Sequence, residues 1–143
     1  WGRPVPVDTR YLNNPRRDLL VISAAGPAVN VVTAVVVGLG LRSIGETLLT
    51  SETGVFVYLG LQALVLLSLL LAFFNLLPVP PLDGGGILAG IAPQVALPVV
   101  STLQRVGPPL LLMAVLLTLV SDVNVLGPLF TPVNALADRL IGG

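Results

Sequence analysis

Two apolar runs without a single charge constrain this chain more than any other feature: residues 19–41, 23 in all, and residues 54–77, 24 in all. A helix rises about 1.5 Å per residue, so either run can cross a hydrocarbon layer of about 30 Å. Lipid offers no partner for backbone amides and carbonyls, and a helix satisfies its own. The residues are 55% apolar and 10% charged, against roughly 25% charged in ordinary soluble domains, and the mean hydropathy is +0.97. The 143 residues are therefore read as one all-α integral membrane domain.

Several chemistries are excluded at once. Seven acidic and seven basic residues balance, which leaves no electrostatic footprint for nucleic acid. The sequence has no Cys, so disulfides, thiolates and Cys-bound metals are absent from it. It also has no His.

Residues 1–14 are polar and punctuated by Pro4 and Pro6. Because Pro drives its preceding neighbour out of the helical region, the stretch from Pro4 to Val7 is expected to be extended, as an edge strand would be. Trp1 and Tyr11 suit an interfacial belt. Asn14-Pro15 reads as an N-cap with Pro at the first helical position. Arg16 and Arg17 flank the first run, so the positive-inside rule sets its amino-terminal side in the cytoplasm. Within that run residues 23–28 are small, and Gly26 and Asn30 share a helical face suited to close packing. Residues 42–53 read as a polar loop in which Glu46 and Glu52 are solvated. Residues 87–100 are apolar but cut by Pro93 and Pro98, and suggest a short half-buried segment. Residues 106–120 form a third apolar run of only 15, a short span or a re-entrant helix. Two to three spans are expected, followed by an amphipathic helix over residues 133–141 at the interface.

The second run ends in Phe74-Asn75-Leu76-Leu77-Pro78-Val79-Pro80-Pro81-Leu82-Asp83-Gly84-Gly85-Gly86. Three prolines remove backbone donors and end the helix near Leu77. Asp83 then sets a carboxylate between two apolar segments. An ionisable group at bilayer depth costs about 2.5–3.5 kcal/mol even on lenient scales, which makes it a functional-site hypothesis. The plainer reading is a turn at the membrane surface with Asp83 in water. The glycines after Asp83 are expected to give a flexible backbone that approaches another group closely.

The pattern Asn75-x-x-Pro78-x-Pro80-Pro81-Leu82-Asp83-Gly84-Gly85 resembles the signature of the site-2 protease family of intramembrane zinc metalloproteases. Two further stretches resemble short bacterial members in the same order. One is Trp1-Gly2-Arg3-Pro4-Val5-Pro6-Val7; the other is Asn14-Pro15-Arg16-Arg17-Asp18 with Ala25-Gly26-Pro27-x-x-Asn30. The resemblance implies a zinc ion held by two His of an H-E-x-x-H helix and by one Asp of the L-D-G segment. Zinc chemistry suits proteolysis, since the ion activates water and polarises the scissile carbonyl. Carried over, Asp83 is the third zinc ligand and Asn75 donates a hydrogen bond to the developing oxyanion. Gly84 and Gly85 turn the backbone beside the metal, with Pro78, Pro80 and Pro81 shaping the loop. The Gly26/Asn30 face packs the core helices, and the segment near Pro4 lies where an unwound substrate adds as a strand. The implied substrates are transmembrane proteins or remnant signal peptides, in the lipid bilayer of a bacterial plasma membrane.

Two departures qualify that implication. Short members commonly carry Arg where this chain has Gly86. More seriously, H-E-x-x-H is missing, so only one of three expected zinc ligands is present and the chain is inactive alone. The match begins where the family's His-bearing helix ends and the sequence starts with Trp1, so the chain is expected to be the carboxy-terminal part of a protease core. The alternatives are a non-catalytic pseudoprotease that binds membrane segments, and a small transporter using Asp83 as a midplane ion site.

Overall fold

The computed structural model describes residues 14–79, 81–120 and 127–142. The expected extended segment at Pro4 to Val7, the belt residues Trp1 and Tyr11, and Pro80 lie outside them. The described residues form five helices and no strand: α1 Pro15–Leu48, α2 Glu52–Asn75, α3 Asp83–Ile91, α4 Leu97–Val120 and α5 Gly127–Ile141. A single 3-10 turn, Gln94–Ala96, precedes α4. Three segments are long and apolar enough to cross a membrane: α1, α2 and Gln94–Thr118.

Asn14 and Pro15 start α1 as expected, but the cap works in reverse. The Asn14 side chain makes no cap bond; instead Asp18 Oδ2 accepts from the Asn14 backbone N–H at 3.2 Å. The helix runs 34 residues to Leu48, so the polar loop expected over 42–53 shrinks to Leu49, Thr50 and Ser51. Composition there marks the exit from the apolar layer and not the end of the helix. Ser43 bonds back to the Leu39 carbonyl at 2.9 Å, and Gly45 lets the Tyr58 ring of α2 pack against it, so packing holds the helix past the charges. Glu46 and Glu52 are accordingly helical. Ser51 Oγ accepts from the Gly54 N–H at 3.1 Å, an N-cap, and Glu52 in the first turn complements the helix dipole.

The apolar segments after Asp83 divide differently from the expectation. Residues 87–91 complete α3 and residues 97–100 begin α4, with the break at Ala92-Pro93. The helix that carries the third run is longer than the run itself, because α4 spans 24 residues. Pro98 stands in its first turn, where a missing N–H costs nothing. Pro108 and Pro109 are interior and withhold donors from the Gln104 and Arg105 carbonyls. In an apolar layer, breaking the helix would free more polar groups than two prolines do.

The core is built where α1, α2 and α5 meet: Ala34 and Leu41, Val65 and Leu69, Val133 and Ala137. Small side chains allow close approach where lipid supplies no hydrophobic drive. The last helix starts earlier than residue 133 and takes in Pro132. Its Val133 and Ala137 are buried on α1 and α2, and Phe130 meets Phe73 edge-on at 6.1 Å. Outward faces carry exposed side chains such as Val29, Val36 and Phe56, as lipid-facing helices do. Gly40 and Gly60 have nothing within 4 Å of an added Cβ. Gly40→Ala and Gly60→Ala are expected to hold or raise the thermal transition in detergent, by up to about 1 kcal/mol each.

Candidate active site

Asn75 ends α2 and Asp83 opens α3, so the loop between them decides what the two side chains share. The chain reverses tightly there: Val79 N–H donates to the Leu77 carbonyl at 2.7 Å, Leu82 N–H to Val79 at 3.0 Å and Gly85 N–H to Leu82 at 3.0 Å. Pro78 and Pro81 lie on its exposed side. The reversal drives the start of α3 against the end of α2. Gly84 is buried, and a Cβ on it would fall on the Leu76 and Leu77 carbonyl oxygens. Residues 84–86, expected to be flexible, form the first turn of α3. Their lack of side chains serves close packing and not mobility.

Against α1, the new helix packs antiparallel through three matched positions. Asp83 Oδ2 lies 2.9 Å from where a Gly26 Cβ would stand. One turn on, a Gly86 Cβ would meet Ser23 Oγ, with Ser23 Cβ at 3.0 Å. Another turn on, a Gly90 Cβ would come within 2.8 Å of Leu20 Cβ and 3.0 Å of the Arg16 carbonyl. Gly26 therefore receives the carboxylate itself, where helix packing alone was expected. Asn30, one turn further, is half-buried. Sequence reasoning missed Ser23, Gly86 and Gly90 as positions that seat α3. The available signal was the four-residue spacing of Gly86 and Gly90, the small-xxx-small pattern of close helix pairs. The site has no room for a side chain at 86, because Ser23 fills it. Gly86→Ala is expected to lower the thermal transition by about 1–3 kcal/mol, the range for overpacking. Adding Ser23→Gly should recover most of the loss, which a double-mutant cycle in detergent would measure.

The α1–α2 register sets Asn75 beside this contact. Tyr58 packs on Gly45, and the helices are antiparallel, so Asn75 stands opposite residue 28, about 3 Å along the axis from Gly26. Gly26 itself lies about 14 Å along α1 from Arg17, well inside a layer about 30 Å thick. An amide and a carboxylate thus share one level at bilayer depth. Both are half-buried, and neither forms a hydrogen bond or ion pair among the described residues. The N-terminus of α3 favours the negative charge it carries.

Zinc requires three protein ligands and an open position for catalysis. The sequence supplies neither His nor Cys, and among the described residues no three Asp or Glu side chains cluster. These residues alone do not complete a zinc site. Asp83 can contribute one oxygen ligand, since its carboxylate at the head of α3 has no hydrogen-bond or ion-pair partner among the described residues.

The family model described as Peptidase family M50 matches residues 49–119, a stretch containing α2, the Asn75–Asp83 loop, α3 and most of α4. The chain is 35% identical over 97 residues to the Bacillus subtilis (strain 168) protein described as "Putative zinc metalloprotease YwhC". The match covers 65% of this chain and 43% of that protein's length. No solved structure matches the chain. The loop from Asn75 to Asp83 lies inside the matched segment, and over residues 49–119 the chain is similar to peptidase family M50, the site-2 proteases.

Proposed function

We propose that this single membrane domain is part of an intramembrane zinc metalloprotease of the bacterial plasma membrane. Asp83 supplies one metal ligand, and the remaining ligands come from residues outside this sequence. One observation supports the reading: Asp83 Oδ2 lies 2.9 Å from where a Gly26 Cβ would stand, and the antiparallel register of α1 and α2 puts Asn75 near the same level. Charge at that depth is costly, and so is retained where it binds something. Asn75 donates its amide N–H to the oxygen that becomes negative as a peptide bond is attacked. The substrates are transmembrane or membrane-proximal peptide bonds, including those of remnant signal peptides, and the Arg16–Arg17 end of α1 faces the cytoplasm.

The test is cleavage of a single-span substrate by the full-length protein in liposomes, with and without a zinc chelator. Chelator-sensitive cleavage is expected. Asn75→Ala should lower kcat by about 10²–10³ with metal content unchanged, the cost of one oxyanion donor. Absence of cleavage by a metal-loaded full-length protein would favour the non-catalytic binding reading.

A further inference from the structure

A second site lies at the other end of the bundle. Between α2 and α5 runs a groove of about 420 Å³ lined by Leu59, Gln62, Ala63 and Leu66 of α2 and by Asn134 and Asp138 of α5. Two smaller hollows continue it around Tyr58 and Gly142 and bring in Arg42 and Glu46. The contrast with the rest of the surface is sharp. The groove beside Phe73 and the one beside Pro93 are lined by apolar side chains alone.

Position and charge together specify what fits. Arg42 is the first charge after the 23 charge-free residues of α1, and the α1–α2 register sets Gln62 level with Leu41, so the polar end stands at the membrane boundary. The Arg42 stem lies along Gly142, its Cγ 3.3 Å from where a Cβ would stand. Arg42, Glu46 and Asp138 are exposed and form no ion pair among the described residues. One cation and two anions thus border adjoining hollows that share Tyr58, Ile141 and Gly142, with the Gln62 amide lining the hollow of Asp138. Starting beside Tyr58, Leu59, Ala63 and Leu66 share one α2 face by their spacing and lead inward to the apolar layer.

We propose that this groove binds one zwitterionic aminophospholipid, with the headgroup of phosphatidylethanolamine. The Arg42 guanidinium takes the phosphate, for which its fork is suited. Asp138 and Glu46 take the primary ammonium, Tyr58 and Gln62 complete the hydrogen bonds, and an acyl chain follows Leu59, Ala63 and Leu66. An anionic lipid without an ammonium would leave both carboxylates facing its phosphate. The site is independent of the protease reading.

Native mass spectrometry of the full-length protein in detergent, titrated with phosphatidylethanolamine or phosphatidylglycerol of identical chains, tests this. A one-to-one complex retaining phosphatidylethanolamine in preference is expected. Arg42→Gln should weaken it roughly fivefold, the worth of one basic side chain near lipid headgroups. Asp138→Asn should narrow or reverse the preference, and Glu46→Gln should act in the same direction. All three side chains are exposed, so the variants should keep the parent's thermal transition. Equal retention of both lipids, unchanged by the variants, would mean annular lipid only and overturn the proposal. A preference for phosphatidylglycerol lost in Arg42→Gln would overturn the zwitterion assignment.

Discussion

Asp83→Asn in the full-length protein is expected to abolish peptide-bond cleavage while leaving the fold at least as stable as that of the metal-stripped parent. The amide has nearly the volume of the carboxylate, so it fits against Gly26 where Oδ2 now lies. No hydrogen bond or ion pair among the described residues is lost. What disappears is the charge, and with it an anionic oxygen ligand for a dication such as zinc. Removing an outer-shell partner of a metal ligand costs roughly 10–100-fold in affinity or activity, and losing a direct ligand should cost more. A charge at bilayer depth is itself unfavourable by about 2.5–3.5 kcal/mol at the centre. The variant should therefore unfold at or above the temperature of the metal-stripped parent, the metal itself adding stability to the loaded parent. Activity measured in liposomes and thermal unfolding measured in detergent separate the two effects. A stabilised but inactive variant marks a residue kept for chemistry.

Gly84→Ala should have the opposite profile. The added methyl meets the carbonyl oxygens of Leu76 and Leu77, which are backbone atoms at a helix end and cannot rotate aside. Relief requires α3 to move away from α2, at a cost towards the upper end of the about 1–3 kcal/mol typical of overpacking. The same movement withdraws Asp83 from Gly26. A displacement of about 1 Å at a reacting centre can cost about 10² in rate, so cleavage should fall together with the unfolding temperature. Gly40→Ala, with open space around it, is the control. A Gly84→Ala protein that unfolds and cleaves like the parent would mean that the loop does not seat Asp83 in this way.

The membrane character, the start of α1 at Asn14-Pro15 and the end of α2 within two residues of Leu77 were legible from charge-free runs and prolines alone. Asp83 stood out as a candidate in the same way, because a carboxylate inside an apolar stretch has few structural uses. Helix ends beyond the apolar layer were not legible. Arg42 and Glu46 look like loop residues until Tyr58 is known to pack on Gly45, a contact made with another helix. Pro98 and Pro93 look equivalent in the sequence, yet one falls in a first turn and the other breaks the chain. The three glycines after Asp83 permit either mobility or tight packing. Only the carbonyls of Leu76 and Leu77 and the hydroxyl of Ser23, which local pattern does not reveal, decide for packing.

Zinc content is the most direct measurement of whether Asp83 is a metal ligand. The full-length protein and its Asp83→Asn variant would be purified from membranes in parallel and assayed for bound metal by elemental analysis. About one zinc per chain in the parent and far less in the variant, with the metal-stripped parent and the variant unfolding at similar temperatures, is the predicted result. One zinc per chain in both would contradict it, and the carboxylate at the head of α3 would then serve something other than the metal.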